Sequence, residues 1–141
     1  MNITHRRTLL LGALLAGLAV GIGAFGAHGL EGKLEPDRQR IFETAVKYHF
    51  YHSFALLITA LLSTIYQDLS DRKKLSAAAW LFGIGVLLFS GSLYLLACKN
   101  LLGIESWKWL GLAAPLGGLC FLGGWATIAY LAVKSKPFSK L

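Results

Sequence analysis

The chain is expected to be all-α: a bundle of four transmembrane helices in an integral membrane protein. Three observations predict this. First, only 15% of the 141 residues are charged, against about 25% in an ordinary soluble domain. Second, the charges are segregated: Thr8–Ala27, Tyr48–Tyr66, Leu75–Cys98 and Trp109–Val133 contain no Asp, Glu, Lys or Arg, so all 14 basic and 7 acidic residues lie outside them. Third, each window approaches or exceeds the length a membrane helix needs, about 20 residues for a hydrocarbon core of ~30 Å. The expected organisation is one multi-pass domain over residues 1–141, with helices near 8–30, 36–66, 75–98 and 109–133. This pattern excludes a soluble enzyme, a nucleic-acid module, a disulfide scaffold and a disordered tail.

The first helix follows Arg6 and Arg7, which resemble the basic start of a signal peptide. Its apolar stretch is longer than the ~7–15 residues of a signal core, so a retained first span is expected. Small residues recur at spacing four in Ala13, Gly17, Gly21 and in Ala19, Gly23, Ala27, a pattern suited to close helix–helix approach. The helix should end near Gly29 and Leu30, before the polar loop that starts at Glu31. Pro36 fits the first turn of the second helix, and Asp37 favours its N-terminus. Glu43 and Lys47 form a stabilising i,i+4 pair, and the chain should enter the bilayer around Tyr48.

Gln67–Lys74 reads as a polar turn, after which the third helix carries Gly83, Gly85 and Ser90-Gly91-Ser92. Trp107 and Trp109 suit an aromatic belt at the start of the fourth helix. Within that helix Pro115 removes a backbone donor and can kink it, which a bundle tolerates when neighbours satisfy the freed carbonyl. Cys98 and Cys120 lie at different depths and are read as small packing residues rather than a disulfide.

The net charge of +7 forms no basic stripe with interleaved aromatics, so no nucleic-acid partner is expected. The partner is the lipid bilayer, with a homo-oligomer or a larger membrane complex around so small a chain. Eight Lys and Arg fall on the side of the two termini and six on the other, which favours termini in the cytoplasm of a plasma-membrane protein.

No catalytic motif and no metal motif stands in the sequence, and no carboxylate lies in the apolar windows. The polar groups that could carry chemistry are His28, at the end of the first helix, and His49 and His52, three residues apart on one face of the second. Imidazoles gathered at one depth could hold a haem, a quinone or a metal, or relay protons. Equally, they could fix one helix against another by hydrogen bonds to backbone carbonyls. No cofactor is specified by the residues alone.

The string Gly23-Ala24-Phe25-Gly26-Ala27-His28-Gly29-Leu30, with Tyr48 and His52 followed by Ala55-Leu56-Leu57, then Phe89-Ser90-Gly91-Ser92-Leu93-Tyr94, Pro115-Leu116-Gly117-Gly118 and Gly124-Trp125, closely resembles the domain-of-unknown-function family four-two-three. The resemblance runs from about Leu9 to Val133. It implies a small four-helix plasma-membrane protein with no assigned activity, and it puts the family's recurring histidines at His28 and His52. His49 replaces a common Gln and Ala114 a common Thr, so a His28–His52 pair is the better ligand candidate than a triad including His49. The residues expected to form the shared packing or assembly surface are Gly23, Phe25, Gly26, His28, Gly29, Tyr48, His52, Ser90, Gly91, Ser92, Tyr94, Pro115, Gly117, Gly118 and Trp125. Three functional readings follow: an accessory or structural membrane protein; a ligand-binding or redox-related protein using His28 and His52; and, third, an oligomeric transporter.

Overall fold

In a computed structural model, residues 3–104, 106, 107 and 109–134 are described, and among them all regular structure is helical. Helix α1 (Ile3–Ala24) runs into a π-helical turn, Phe25–Gly29. Helix α2 spans Pro36–Ile65. Helix α3 (Leu69–Gly85) continues through a second π turn, Val86–Ser90, into α4 (Gly91–Ala97). A short α5 (Lys99–Leu102) leads to α6 (Leu110–Lys134).

The termini of these helices follow from local chemistry. Pro36 occupies the first turn of α2 behind an extended Glu35, and Asp37 lies beside the helix N-terminus, where the missing proline donor costs nothing and the carboxylate meets the positive end of the helix dipole. Helix α3 begins at Leu69, before the expected Leu75. The helix takes in this charged segment with Asp71 and Lys74 paired inside it: Lys74 Nζ donates to Ser70 Oγ at 2.9 Å and to Asp71 at 3.2 Å. Helix α5 ends at Gly103 with φ of 66°, a left-handed cap that glycine adopts without a Cβ penalty.

Three rods, His5–Gly29, Leu69–Ala97 and Leu110–Lys134, are long and apolar enough to cross a membrane. Helix α2 is different. Charged residues fill its first three turns and His49 and His52 interrupt its apolar part, yet it is the helix with the most buried residues, from Phe42 to Ala60. Its two histidines, His49 and His52, are buried in the bundle.

Packing fixes the registers. His5 Nδ1 donates to the Ala60 carbonyl at 2.6 Å, Gly12 faces Leu56 and Leu57, Gly23 faces Val46 and Gly26 faces Phe42. Helices α1 and α2 are therefore antiparallel neighbours along the whole length of α1. The Leu69–Ala97 rod lies antiparallel to α6, with Phe82 on Gly124, Phe121 on Gly85 and Phe89 on Gly117. The core joins Ala55, Leu56, Ala78, Phe82, Val86 and Phe121. A smaller cluster of Leu30, Phe42 and Ala97 closes the other end, where Arg38 Nη1 donates to the Leu96 carbonyl at 3.0 Å. The outside is apolar: Trp80 and Leu112 are each 71% exposed, and Leu14, Leu18, Leu87, Leu119 and Leu122 also point outward. So much contiguous apolar surface suits lipid, not water. Cys98 and Cys120 are free thiols.

Candidate functional site: an aromatic and histidine cluster on glycines

The centre of the bundle is built around His52. The i→i−4 geometry of α2 lets its Nδ1–H donate to the Tyr48 carbonyl at 2.9 Å. That leaves Nε2 as an acceptor, and Trp125 Nε1–H of α6 donates to it at 3.3 Å. The tautomer follows from this network. The imidazole is 5% exposed and lies parallel to Phe121, with centroids 3.4 Å apart and planes 7° apart. Phe82 packs 5.8 Å from it and meets Trp125 edge-on at 5.2 Å. Both ring nitrogens are committed to protein partners.

Each of the three phenylalanines around this stack rests on a glycine. A Cβ at Gly85 would stand 2.5 Å from the Phe121 ring, and one at Gly124 would stand 2.5 Å from the Phe82 ring. At Gly117 it would meet the backbone nitrogen of Phe89. Phe89 belongs to the Val86–Ser90 π turn, whose extra residue per turn brings that backbone against α6. Pro115, two residues earlier, removes the donor that would have bonded the Gly111 carbonyl. Tyr48, on the rim and partly exposed, covers Phe89 at 4.7 Å.

A second pair lies toward the α4 end. His49 Nδ1 and the Tyr94 hydroxyl are 3.2 Å apart, and the Tyr94 ring packs on Phe42 at 5.2 Å. His49 is 3% exposed, and its Nε2 has no hydrogen-bond partner among the described residues; Ser90 Oγ, fully buried, has none either. Ser92 Oγ donates to the Phe89 carbonyl at 3.0 Å.

The structure brings Tyr48, His52, Gly117, Gly118 and Trp125 into one cluster, with Phe89 as the link from the third rod. It does not bring His28 to His52. His28 is exposed on the π turn, beside Gly26, which packs on Phe42; His52 lies ten residues further along α2, about 15 Å of helix. The π turn ends α1 next to the start of α2, while the partners of His52 come from its own helix and from α6. Tyr94 bonds to His49, the histidine the sequence discounted. Among the described residues no three His, Cys, Asp or Glu converge as a metal site would require. Sequence reasoning missed Phe82 and Phe121, and placed Phe89 only as the first residue of the Phe89–Tyr94 string. A signal existed: Phe82 and Phe89 are seven residues apart, as are Gly117 and Gly124, a matched heptad seam of large and small residues. Gly23 and Gly26 contact α2, Phe25 folds onto Gly29, and Gly91 has open space around it.

Comparison with known proteins agrees with this geometry of a membrane bundle. Residues 22–118 match the family model described as "Protein of unknown function (DUF423)". The chain is 43% identical to the UPF0382 membrane protein YwdK of Bacillus subtilis over 126 residues, covering 89% of this chain and 95% of that protein. It is 42% identical over 117 residues to a UPF0382 membrane protein of Staphylococcus haemolyticus, covering 83% and 87%. With one from Haemophilus influenzae it shares 41% identity over 130 residues, covering 91% and 94%. No solved structure matches. The chain belongs to the DUF423 family and is a small membrane protein.

Proposed function

We propose that this member of the DUF423 family is a four-span structural or accessory protein of the plasma membrane, with both termini in the cytoplasm. The observation that carries the reading is the internal commitment of the cluster: His52 spends both nitrogens on Tyr48 and Trp125 and one ring face on Phe121. A group so fully used supports packing rather than ligation. The fourth span is supported by register. Helix α2 accompanies α1 from His5–Ala60 to Gly26–Phe42, so a bilayer crossed by α1 is crossed by α2 beside it. The excess of Lys and Arg with the termini supports the orientation.

Assembly is supported by the outward face of α1, where Ala13, Gly17 and Gly21 are exposed and nothing lies within 4 Å of a Cβ at either glycine. Small residues at that spacing admit another helix at close range. The test is purification of the full chain in mild detergent, with mass spectrometry of co-purifying proteins, sizing and an absorption spectrum. A colourless protein that forms a defined oligomer or complex, lost in Gly17→Leu but kept in wild type, supports the reading. A stoichiometric haem, quinone or metal, or a monomer without partners, overturns it.

A further inference from the structure

At the end of the bundle where α1 starts and α2 turns into α3, a cavity of about 200 Å³ is lined by the hydroxyls of Thr8, Thr59, Ser63 and Ser76 and by Arg72 and Lys73. No Asp or Glu stands among the residues that line the cavity, and Asp71 of that turn bonds to Lys74 at 3.2 Å, so the cations facing the cavity dominate its charge. His5 lines it too and is held in place by its bond to the Ala60 carbonyl. Thr8 and Ser76 also line a second space, a groove of about 880 Å³ between α1 and α3. The two are therefore adjacent.

The groove is apolar, walled by Leu11, Leu15 and Ile22 on one side and by Ile84 and Leu87 on the other, with Arg7 at the mouth it shares with the cavity. From Arg7 to Ile22 the wall runs about 22 Å of helix, longer than half of a ~30 Å hydrocarbon core. Polar and apolar parts lie where a lipid presents them. Arg7 directly precedes the uncharged stretch of α1, and Arg72 and Lys73 stand within three residues of the uncharged stretch of α3, so the cavity sits at headgroup depth. Two cations facing one small space match phosphate oxygens, and basic pockets between membrane helices recognise anionic headgroups.

We propose that cavity and groove together hold one anionic phospholipid, its phosphate between Arg72 and Lys73, and an acyl chain lying along the α1–α3 groove. The lipid is then an integral filler of the bundle, occupying the space that α1 and α3 leave between them as both pack on α2.

The test uses the full chain, delipidated in mild detergent and titrated with phosphatidylglycerol or phosphatidylcholine under native mass spectrometry, with inorganic phosphate as competitor. Phosphatidylglycerol should bind in preference to phosphatidylcholine, and Lys73→Gln should weaken it about fivefold. Arg72→Gln should do the same. Gly83→Leu, at a groove-lining glycine whose Cβ would only touch Leu11 at 3.8 Å, should abolish lipid retention with the cations intact and the melting temperature unchanged. Gly91→Leu, in open space on the same groove, replaces it if that variant fails to fold. Equal binding of the two lipids, indifference to the cation variants, or lipid retained with the groove filled would each overturn the proposal. Displacement of phosphatidylglycerol by millimolar inorganic phosphate would overturn it as well, leaving a free-ion site only.

Discussion

His52 and Phe121 lie face to face, 3.4 Å between centroids and 7° from parallel, and this contact joins the most buried helix to α6. The imidazole contributes a flat surface to the stack and an acceptor for Trp125. These two contributions separate by substitution. His52→Ala removes both and leaves a void, with an expected loss of about 3 kcal/mol. His52→Phe keeps the flat surface and forfeits the Trp125 bond, with an expected loss nearer ~1 kcal/mol. Reversible unfolding in mixed micelles measures both, and equal losses would show that the ring surface contributes nothing.

Glycine at the seam is a packing requirement. A Cβ at Gly124 would stand 2.5 Å from the Phe82 ring, so Gly124→Ala should destabilise by about 1–3 kcal/mol through overpacking. Gly124→Ala combined with Phe82→Leu should cost less than the two losses added, because the smaller side chain vacates the contested space. Gly111→Ala is the control: nothing lies within 4 Å of a Cβ there, so alanine should not destabilise the bundle. A double-mutant cycle with simple additivity at Gly124 and Phe82 would contradict this account.

These glycines also show what the sequence disclosed. Segregated charge announced apolar helices, because the membrane sorts residues by polarity alone, and Pro36 marked the start of α2 correctly. The α3 start was misjudged because Asp71 and Lys74 read as loop residues, whereas their pairing extends the helix past the apolar segment. The partners of the histidines are hidden in the sequence for a different reason. Depth can be inferred from position along a span, but azimuth cannot be inferred without the packing partner. His28 and His49 were assigned roles by depth, and the structure separates them by face: one on the exposed π turn, the other against Tyr94.

The His49–Tyr94 pair carries its own prediction. His49→Leu leaves the Tyr94 hydroxyl without the partner it has at 3.2 Å, and Tyr94→Phe strips His49 of its one partner among the described residues while Nε2 is already unsatisfied. Each single change should cost about 1–2 kcal/mol, whereas the double change removes both polar groups together and should be near neutral. Unfolding midpoints of the three variants decide it. A double variant as unstable as the sum of the singles would mean that the pair has a further role in the fold.

The contact between Arg38 and Leu96 tests how the two ends of the bundle are tied. The guanidinium donates to a carbonyl in the last turn of α4 at 3.0 Å, a carbonyl that the helix itself leaves unpaired, and its positive charge faces the negative end of the helix dipole. Arg38→Gln keeps a donor but loses the charge and the reach. It should cost about 1 kcal/mol and release the end of α4 first. Hydrogen–deuterium exchange should therefore quicken at the backbone amides of Cys98 and Leu102, which close the α4–α5 junction through bonds to Tyr94 and Cys98, and stay unchanged at the Ala60 end of α2, where His5 supplies a separate tie. Faster exchange at both ends would mean that the bundle opens as one unit and that Arg38 acts globally; faster exchange at neither would show that the Leu96 carbonyl finds water as readily as it finds Arg38.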